Sequence, residues 1–272
     1  MKKEFIIVAV LGVIIVVLLI LLILPSKKQN VIIEGLVVDS PKADELISSP
    51  LEISGSTNGK GWNGFEGQVG TVRLLDSNGN QLGRTAILTA TTEWTNPPVK
   101  FQTSISFVSD SEQSGTLVFH NENASGLPEN DKEFVLKVKI PKVESTQIAV
   151  YFGKQGSNDC NVVYPSWRMV QKTSAPARAA LEELLIGPTS GPNSETTMGL
   201  ITSINSGVKI QSLKIENDTA YVDFDEMLQF QVGGSCRVSA IRAQIEKTLK
   251  QFLTVKNVVI SINGRTEDIL QP

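Results

Sequence analysis

The chain has 272 residues, which is enough for about two ordinary domains. Its formal net charge is −3, with acidic and basic residues mixed along the chain, so no positive field exists to hold a polyanion. Aromatic residues make up only 6% of the chain and alternate with aliphatic residues in strand-like runs. Composition and charge therefore disfavour nucleic-acid binding.

An uninterrupted apolar stretch occupies residues 5–24 near the N-terminus. At about 1.5 Å of rise per residue, a helix of this length matches a hydrocarbon layer of about 30 Å. The alternative is a cleaved signal peptide, whose apolar core is shorter, about 7–15 residues, and ends in a small-x-small cleavage site. Because Pro25, Lys27 and Lys28 follow the stretch instead, we predict a transmembrane anchor over residues 1–28.

The orientation of this anchor depends on the flanking charges and on the tail before it. Lys2 and Lys3 precede the apolar stretch and Lys27 and Lys28 follow it, so the positive-inside bias nearly cancels. The preceding tail is very short and has nothing to fold outside the cell. We therefore expect a single-pass protein of the cell membrane, with a cytoplasmic N-terminus and everything after Ser26 extracytoplasmic.

Residues 29–141 show short strands separated by turn-rich segments, with no stretch of helical period. Apolar residues recur at every second position, which predicts strands with one buried face. Roughly seven strands at this spacing fit an all-β immunoglobulin-like sandwich. Trp62, Phe65 and Trp94 fall on its loops, where their rings could stack on sugars or cover the core.

After Pro141 the pattern changes, and residues 142–147 are predicted to form a polar linker. Residues 148–272 follow the order strand, strand, helix, strand, strand, helix, strand, which indicates an α+β domain whose helices cover one face of a sheet. The first helix is predicted to begin with Ser174 as its cap and the second to run from about Ser235 to Phe252. A hairpin is predicted around residues 216–218.

The two cysteines, Cys160 and Cys236, both lie in this second domain. An even number of cysteines in an oxidising compartment favours a disulfide. Two free buried thiols are the alternative. A metal site is disfavoured, because two thiols and the distant His120 cannot complete a tetrahedral set of ligands.

Candidates for catalysis are few. Asp223, Asp225 and Glu226 could in principle act as paired carboxylates, but alternation along the strand also places Asp223 and Asp225 on a solvated face, which we favour. Gly233 and Gly234 precede a helix and could hold an anion there, although Ser235 as a helix cap explains them as well. His120 has no nucleophile motif beside it. We predict no enzyme activity, no cofactor and no metal.

Several separate motifs in the second domain resemble the GerMN domain, the sporulation and spore germination module. They occur in the family's order over about 120 residues: AVYFGKQGSNDC at 149–160, YPSWRMV at 164–170, ALEELLIGPT at 180–189, GLITSI at 199–204, AYVDFDEML at 220–228 and GGSCRVSAIRAQIEKTLKQF at 233–252. The first domain resembles the immunoglobulin-like domain of bacterial spore germination, through residues 39–57, 65–79 and 114–126.

These resemblances imply an extracytoplasmic scaffold of the bacterial envelope and, for some family members, ring-like oligomers. We therefore expect a membrane-anchored interaction protein whose second domain contacts copies of itself or an envelope partner. The alternative from another class is a cell-wall glycan-binding module that uses Trp62, Trp94 and Phe65. Nucleic acid is not an expected partner.

Overall fold

The computed structural model describes residues 31–33, 35–190 and 194–271. The predicted anchor, residues 1–28, lies outside these ranges, and within them no helix is long and apolar enough to cross a membrane. The chain divides into two compact units. The first holds the described residues up to Ser106 together with Glu112–Pro141, and the second holds Phe107–Ser111 and the residues from Lys142 onward.

The first unit is built from strands alone, apart from a short 3-10 turn at Pro128–Asn130. Its strands are β1 (Val31–Ile33), β2 (Leu36–Ser40), β3 (Leu51–Thr57), β4 (Gln68–Leu75), β5 (Gln81–Ala90), β6 (Val99–Ile105), β7 (Gln113–Asn121) and β8 (Glu133–Ile140). They form one hydrogen-bonded order, β1-β2-β3-β6-β5-β4-β7-β8. The sequence predicts roughly seven strands in two sheets. Here β5 joins the two halves through Thr89 and Ala90, which pair with Gln102 and Phe101.

Both halves of this sheet bury alternate residues, as the period of two predicts. Leu51 and Ile53 of β3 are buried, and so are Leu117 and Phe119 of β7. One sheet can exclude water from such residues on both halves only if it folds over on itself, which produces the core of a sandwich. The region contains no cysteine, so this core is held by packing.

Among its described residues, the second unit has two α-helices, six strands and a short 3-10 turn at Glu226–Leu228. The strands and α-helices are β9 (Ser145–Lys154), β10 (Tyr164–Gln171), α1 (Pro176–Ile186), β11 (Leu200–Ile201), β12 (Ile210–Glu216), β13 (Thr219–Phe224), α2 (Ser235–Leu249) and β14 (Asn257–Ile262). The predicted order of strands and helices is present, with β11 added. Strand β9 begins within the segment assigned to a linker, and Val143 just before it donates its backbone N–H to Ser109 (2.8 Å).

The prediction of a single sheet in this domain is wrong, because the strands form two three-stranded sheets, β10-β9-β11 and β12-β13-β14. Side chains near the end of α2 explain the separation. Gln251 accepts the backbone N–H of Ala149 (2.8 Å) and donates to its carbonyl (2.7 Å), and Thr248 accepts the N–H of Tyr151 (3.1 Å). These groups occupy the edge of β9 where a further strand would pair.

The two predicted helix caps are also wrong. Helix α1 has Ala175 at its N-cap, and Ser174 lies one residue too early to cap it. Helix α2 has Gly234 at its N-cap with a φ of 85°, so Ser235 is the first helical residue and makes no capping hydrogen bond. A residue with positive φ at this point favours glycine, which accounts for Gly234.

Candidate functional site: an open sheet face in the second domain

One face of the sheet β10-β9-β11 points away from the two helices, and we call it the open face. It consists of Ser145, Gln147, Ala149 and Tyr151 of β9, Pro165, Trp167, Met169 and Gln171 of β10, and Ile201 of β11. Its largest exposed side chains are Trp167 (63% exposed), Met169 (54%) and Ile201 (45%). Large apolar groups gathered on one exposed face are typical of an interaction surface.

The opposite face of the same sheet faces the core. Val150 and Phe152 of β9 are fully buried, in one cluster with Leu181 of α1 and Ile241 of α2. Because side chains alternate along a strand, burial of the even-numbered residues places the odd-numbered ones on the other side, where Tyr151 is partly exposed and Ala149, opposite Trp167, is itself covered (1% exposed). The helices thus determine which face stays open.

The strand register fixes the neighbours within the open face. Trp167 lies opposite Ala149, Met169 opposite Gln147, and Pro165 opposite Tyr151. Side chains in directly opposite positions have their Cβ atoms about 5 Å apart. At the far edge of the sheet, Ile201 pairs with Gly153.

A buried ion network holds β10 from the core side. Glu195 accepts hydrogen bonds from both residues that flank Trp167: from the guanidinium of Arg168 (2.5 and 3.2 Å) and from the hydroxyl of Ser166. Arg168 also donates to the Glu183 carboxylate (2.9 Å) and to the carbonyl of Gly187 (2.8 Å). The network therefore ties β10 to the end of α1 and fixes the strand position that carries Trp167.

The charge state of Glu195 follows from these contacts. Burial raises its pKa, but hydrogen bonds from Arg168, Ser166 and the backbone N–H of Thr189 outweigh this effect and hold the pKa at about 2. Glu195 is therefore a carboxylate at neutral pH, paired with a permanently charged guanidinium. The network therefore has a structural role.

The structure joins Cys160 and Cys236 by a disulfide, with 5.3 Å between their Cα atoms. The bond links the loop after β9 to the first turn of α2. The hydrogen bonds within this loop are mostly local, such as those from Val162 and Asn161 to Asp159. The disulfide therefore cross-links the loop of the β9–β10 hairpin to helix α2.

The candidate catalytic carboxylates all have structural partners. Asp223 accepts hydrogen bonds from the Ser261 hydroxyl (2.6 Å) and from the backbone N–H of Gly264 (2.9 Å). Asp225 accepts the backbone N–H of Lys209 (3.1 Å), and Glu226 pairs with Arg265 (3.0 Å). These contacts stabilise the turn after β14 and the edge of β12 and do not converge on a cleft.

The structure contradicts one of the three aromatic residues of the predicted sugar-binding surface on the first domain. Trp62 is 1% exposed and belongs to the core, so this part of the prediction is wrong. The carbonyl of Gly61 accepts a hydrogen bond from the buried Asn121 (2.7 Å), which fixes the loop that inserts the ring. Phe65 and Trp94 form an edge-to-face pair (6.4 Å between ring centres) at the surface of the same region.

The remaining candidates do not form a site. His120 contacts the backbone carbonyl of Asn121 (3.0 Å) and has Asp131 at 4.0 Å. Within the described residues, no group of three or more His, Cys, Asp or Glu side chains is placed to hold a metal. The open face was not predicted from the sequence. Its signal was the alternation of Pro165, Trp167 and Met169 with Ser166 and Arg168.

Comparison with protein-family models gives two matches. Residues 149–268 match the family described as sporulation and spore germination, and residues 36–127 match the immunoglobulin-like domain of bacterial spore germination. Both predicted resemblances are confirmed. No curated protein matches the chain.

Among solved structures, the first GerMN domain of the sporulation protein GerM from Bacillus subtilis is 17% identical, with a TM-score of 0.34; the match covers 44% of this chain and 85% of that one. The tandem GerMN domains of the same protein are 19% identical, with a TM-score of 0.34, over 45% of this chain and 41% of that one. A putative lipoprotein from Clostridium perfringens is 14% identical, with a TM-score of 0.29, over 44% and 76%.

Proposed function

We propose that this chain, which combines an immunoglobulin-like domain of bacterial spore germination with a sporulation and spore germination domain, is a membrane-anchored scaffold of the bacterial envelope. In this proposal the apolar segment 5–24 is the anchor and both domains are extracytoplasmic. The protein acts by contact with another envelope component and not by catalysis.

The single observation that carries this proposal is the open face. Trp167 and Met169 remain more than half exposed although they lie in the middle of a regular strand. Tryptophan and methionine are enriched at interaction surfaces relative to the rest of a protein surface. The ion network beneath β10 holds the surrounding strand rigidly, and a contact surface on a rigid element loses little conformational entropy on binding.

The candidate carboxylates favour the same conclusion. A catalytic acid or base needs a cleft and a free position beside the reacting group. Asp223 and Glu226 instead bind Ser261, Gly264 and Arg265 of their own domain. Their arrangement is that of residues that stabilise turns.

The experiment that tests the proposal places a photocrosslinking amino acid at Trp167 in the full chain, in cells of the source organism. The matched control carries it at Tyr221, which is 46% exposed on the other sheet of the same domain. We expect an adduct from position 167 and none from position 221. Equal labelling at both positions, or no adduct from position 167, would contradict a role for this face in contact.

The anchor and the topology are tested separately. A reporter that is active only outside the cytoplasm, fused to the C-terminus, should be active in membrane fractions. Recovery of the full chain as a soluble cytoplasmic protein would overturn the proposed location. So would an inactive fusion of this reporter together with an active fusion of a second reporter that works only in the cytoplasm.

A further inference from the structure

We propose that the open face binds an uncharged, extended polysaccharide of cell-wall type, whose sugar rings stack on Trp167. This inference rests on the proposed function, because it names the component that the open face contacts. It also moves the expected glycan contact from the first domain, where Trp62 is buried, to the second.

The charge of the open face is the first argument. None of the side chains that form it carries a charge. Two cations adjoin the face in sequence. Arg168 points to the core side and is bound by Glu195 and Glu183, and the exposed Lys172 is neutralised by its pair with Glu144 (2.9 Å). Nucleic acids, acidic polymers and anionic lipid headgroups all require basic groups on the binding surface. An uncharged ligand fits this surface better.

The chemical groups on the face are the second argument. A sugar ring presents an apolar C–H face that packs on an aromatic ring, and hydroxyl groups around its edge that need hydrogen-bond partners. Trp167 supplies the exposed ring. Gln147 lies two residue pairs away, about 7 Å along the strands, and its amide can both donate and accept. Ser145 and Gln171 extend this polar end of the face.

The size of the face is the third argument. With side-chain areas of about 150–250 Å², the exposed fractions of Trp167, Met169 and Ile201 leave about 350 Å² of apolar surface. A stable protein interface takes about 800 Å² from each partner. These three side chains supply less than half of that area, which suits a few sugar rings better than a second folded protein.

The outer edge of β10 argues against a partner that adds a strand there. Lys172 donates its backbone N–H to the carbonyl of Glu144, just before β9. The backbone N–H and C=O groups of the even-numbered residues of β10 therefore point to β9, and those of the odd-numbered residues point to the free edge. Pro165 is therefore an outward position, and it has no N–H to donate. Among the described residues no strand pairs with this edge, and the proline weakens any strand that would.

A small site suits a polymeric ligand. A single face of this size is expected to bind a short glycan weakly, but a polysaccharide repeats the same unit many times. Copies of the chain tethered in one membrane would engage several units at once, and the effective affinity rises without any new contact.

The experiment measures retention of the full chain, in detergent micelles, on purified insoluble peptidoglycan and on chitin. Four substitutions are compared: Trp167→Tyr, Trp167→Ile, Gln147→Ala and, as a control on the other sheet, Tyr221→Ala. We expect Trp167→Ile to lower retention about 10-fold, as loss of an aromatic stacking platform does. Trp167→Tyr keeps an aromatic ring and should keep most of the binding, and Tyr221→Ala should bind like the unchanged chain.

The comparison of Trp167→Ile with Trp167→Tyr separates ring stacking from apolar contact. Isoleucine preserves apolar area and strand propensity without an aromatic ring, so equal binding by Trp167→Ile and Trp167→Tyr would overturn ring stacking. No retention of the unchanged chain on either glycan would overturn the inference as well. If the crosslinker at position 167 then captures a protein or a second copy, the proposed function stands and only the glycan assignment fails. No adduct at that position would remove both.

Discussion

The two domains use tryptophan in opposite ways. Trp62 lies in a loop of the first domain and is 1% exposed, whereas Trp167 lies within a strand of the second domain and is 63% exposed. A loop residue thus fills a core and a strand residue faces solvent. The difference shows that the element which carries a side chain does not decide its exposure. Packing on that face decides it: the first sheet folds over Trp62, and both helices lie on the side away from Trp167.

The domains also differ in what supports their cores. The first contains no cysteine, and its buried residues are held by packing and by hydrogen bonds such as those of Asn121. The second adds a disulfide and the Arg168–Glu195 pair. Substitutions should therefore destabilise the first domain by opening cavities and the second by breaking its ion pair or its disulfide.

Replacing Trp62 should have the largest effect. Trp62→Ala leaves a cavity in a closed core, and such substitutions cost about 3–5 kcal/mol in the free energy of unfolding. Trp94 is partly exposed in an edge-to-face pair, so Trp94→Ala should cost clearly less. Urea unfolding followed by circular dichroism measures both. Equal losses for the two variants would contradict the placement of Trp62 in the core.

Arg168→Ala should destabilise the second domain by about 3–5 kcal/mol, because Glu195 would keep its charge in a buried position without a partner. The matched control is Arg178→Ala, which removes an exposed pair with Glu182 one helical turn away. Such pairs contribute about 0.3–0.5 kcal/mol. If Arg168→Ala and Arg178→Ala lowered the free energy of unfolding by similar amounts, the Arg168–Glu195 pair would have to be exposed to solvent.

Removing the disulfide should cost about 2–4 kcal/mol, since the bond closes a loop between residues 76 positions apart. The double substitution Cys160→Ser, Cys236→Ser should lower the unfolding midpoint of the second domain and leave that of the first unchanged, because the first has no cysteine. Thiol counting in denaturant should find no free thiol until reductant is added. Two thiols without reductant would contradict the bond.

The sequence predicts the parts of this molecule that depend on local pattern. Alternation identified the strands around Ile53 and Phe119, and the 3.6-residue period of Ile241 and Ile245 identified α2. Contacts between distant residues were not predictable. The separation into two sheets depends on Gln251 reaching Ala149, which lies 102 residues away. The exposure of Trp167 depends on which face α1 and α2 cover, and an alternating strand alone does not contain that information.

The Glu195 carboxylate should give the second domain an acid-dependent stability. Its pKa is about 2 in the folded protein and near 4.5 when unfolded, so its stabilising contribution is complete above about pH 4.5 and is lost as the pH falls towards 2. Glu195→Gln should remove this part of the pH dependence. Unfolding midpoints measured between pH 7 and pH 3 test this, and an unchanged slope in the variant would contradict it.

Trp167→Ala should have the smallest effect on stability and the clearest effect on binding. Its ring is mostly exposed, and substitutions at such surface positions usually change the free energy of unfolding by no more than about 0.5 kcal/mol. We therefore expect the two tryptophans to differ: Trp62→Ala should strongly destabilise the first domain, whereas Trp167→Ala should leave the stability of the second nearly unchanged and lower its retention on glycan. A loss at Trp167 as large as that at Trp62 would mean that the open face is covered in the folded protein. Retention on glycan should then be unaffected by any conservative change at that position.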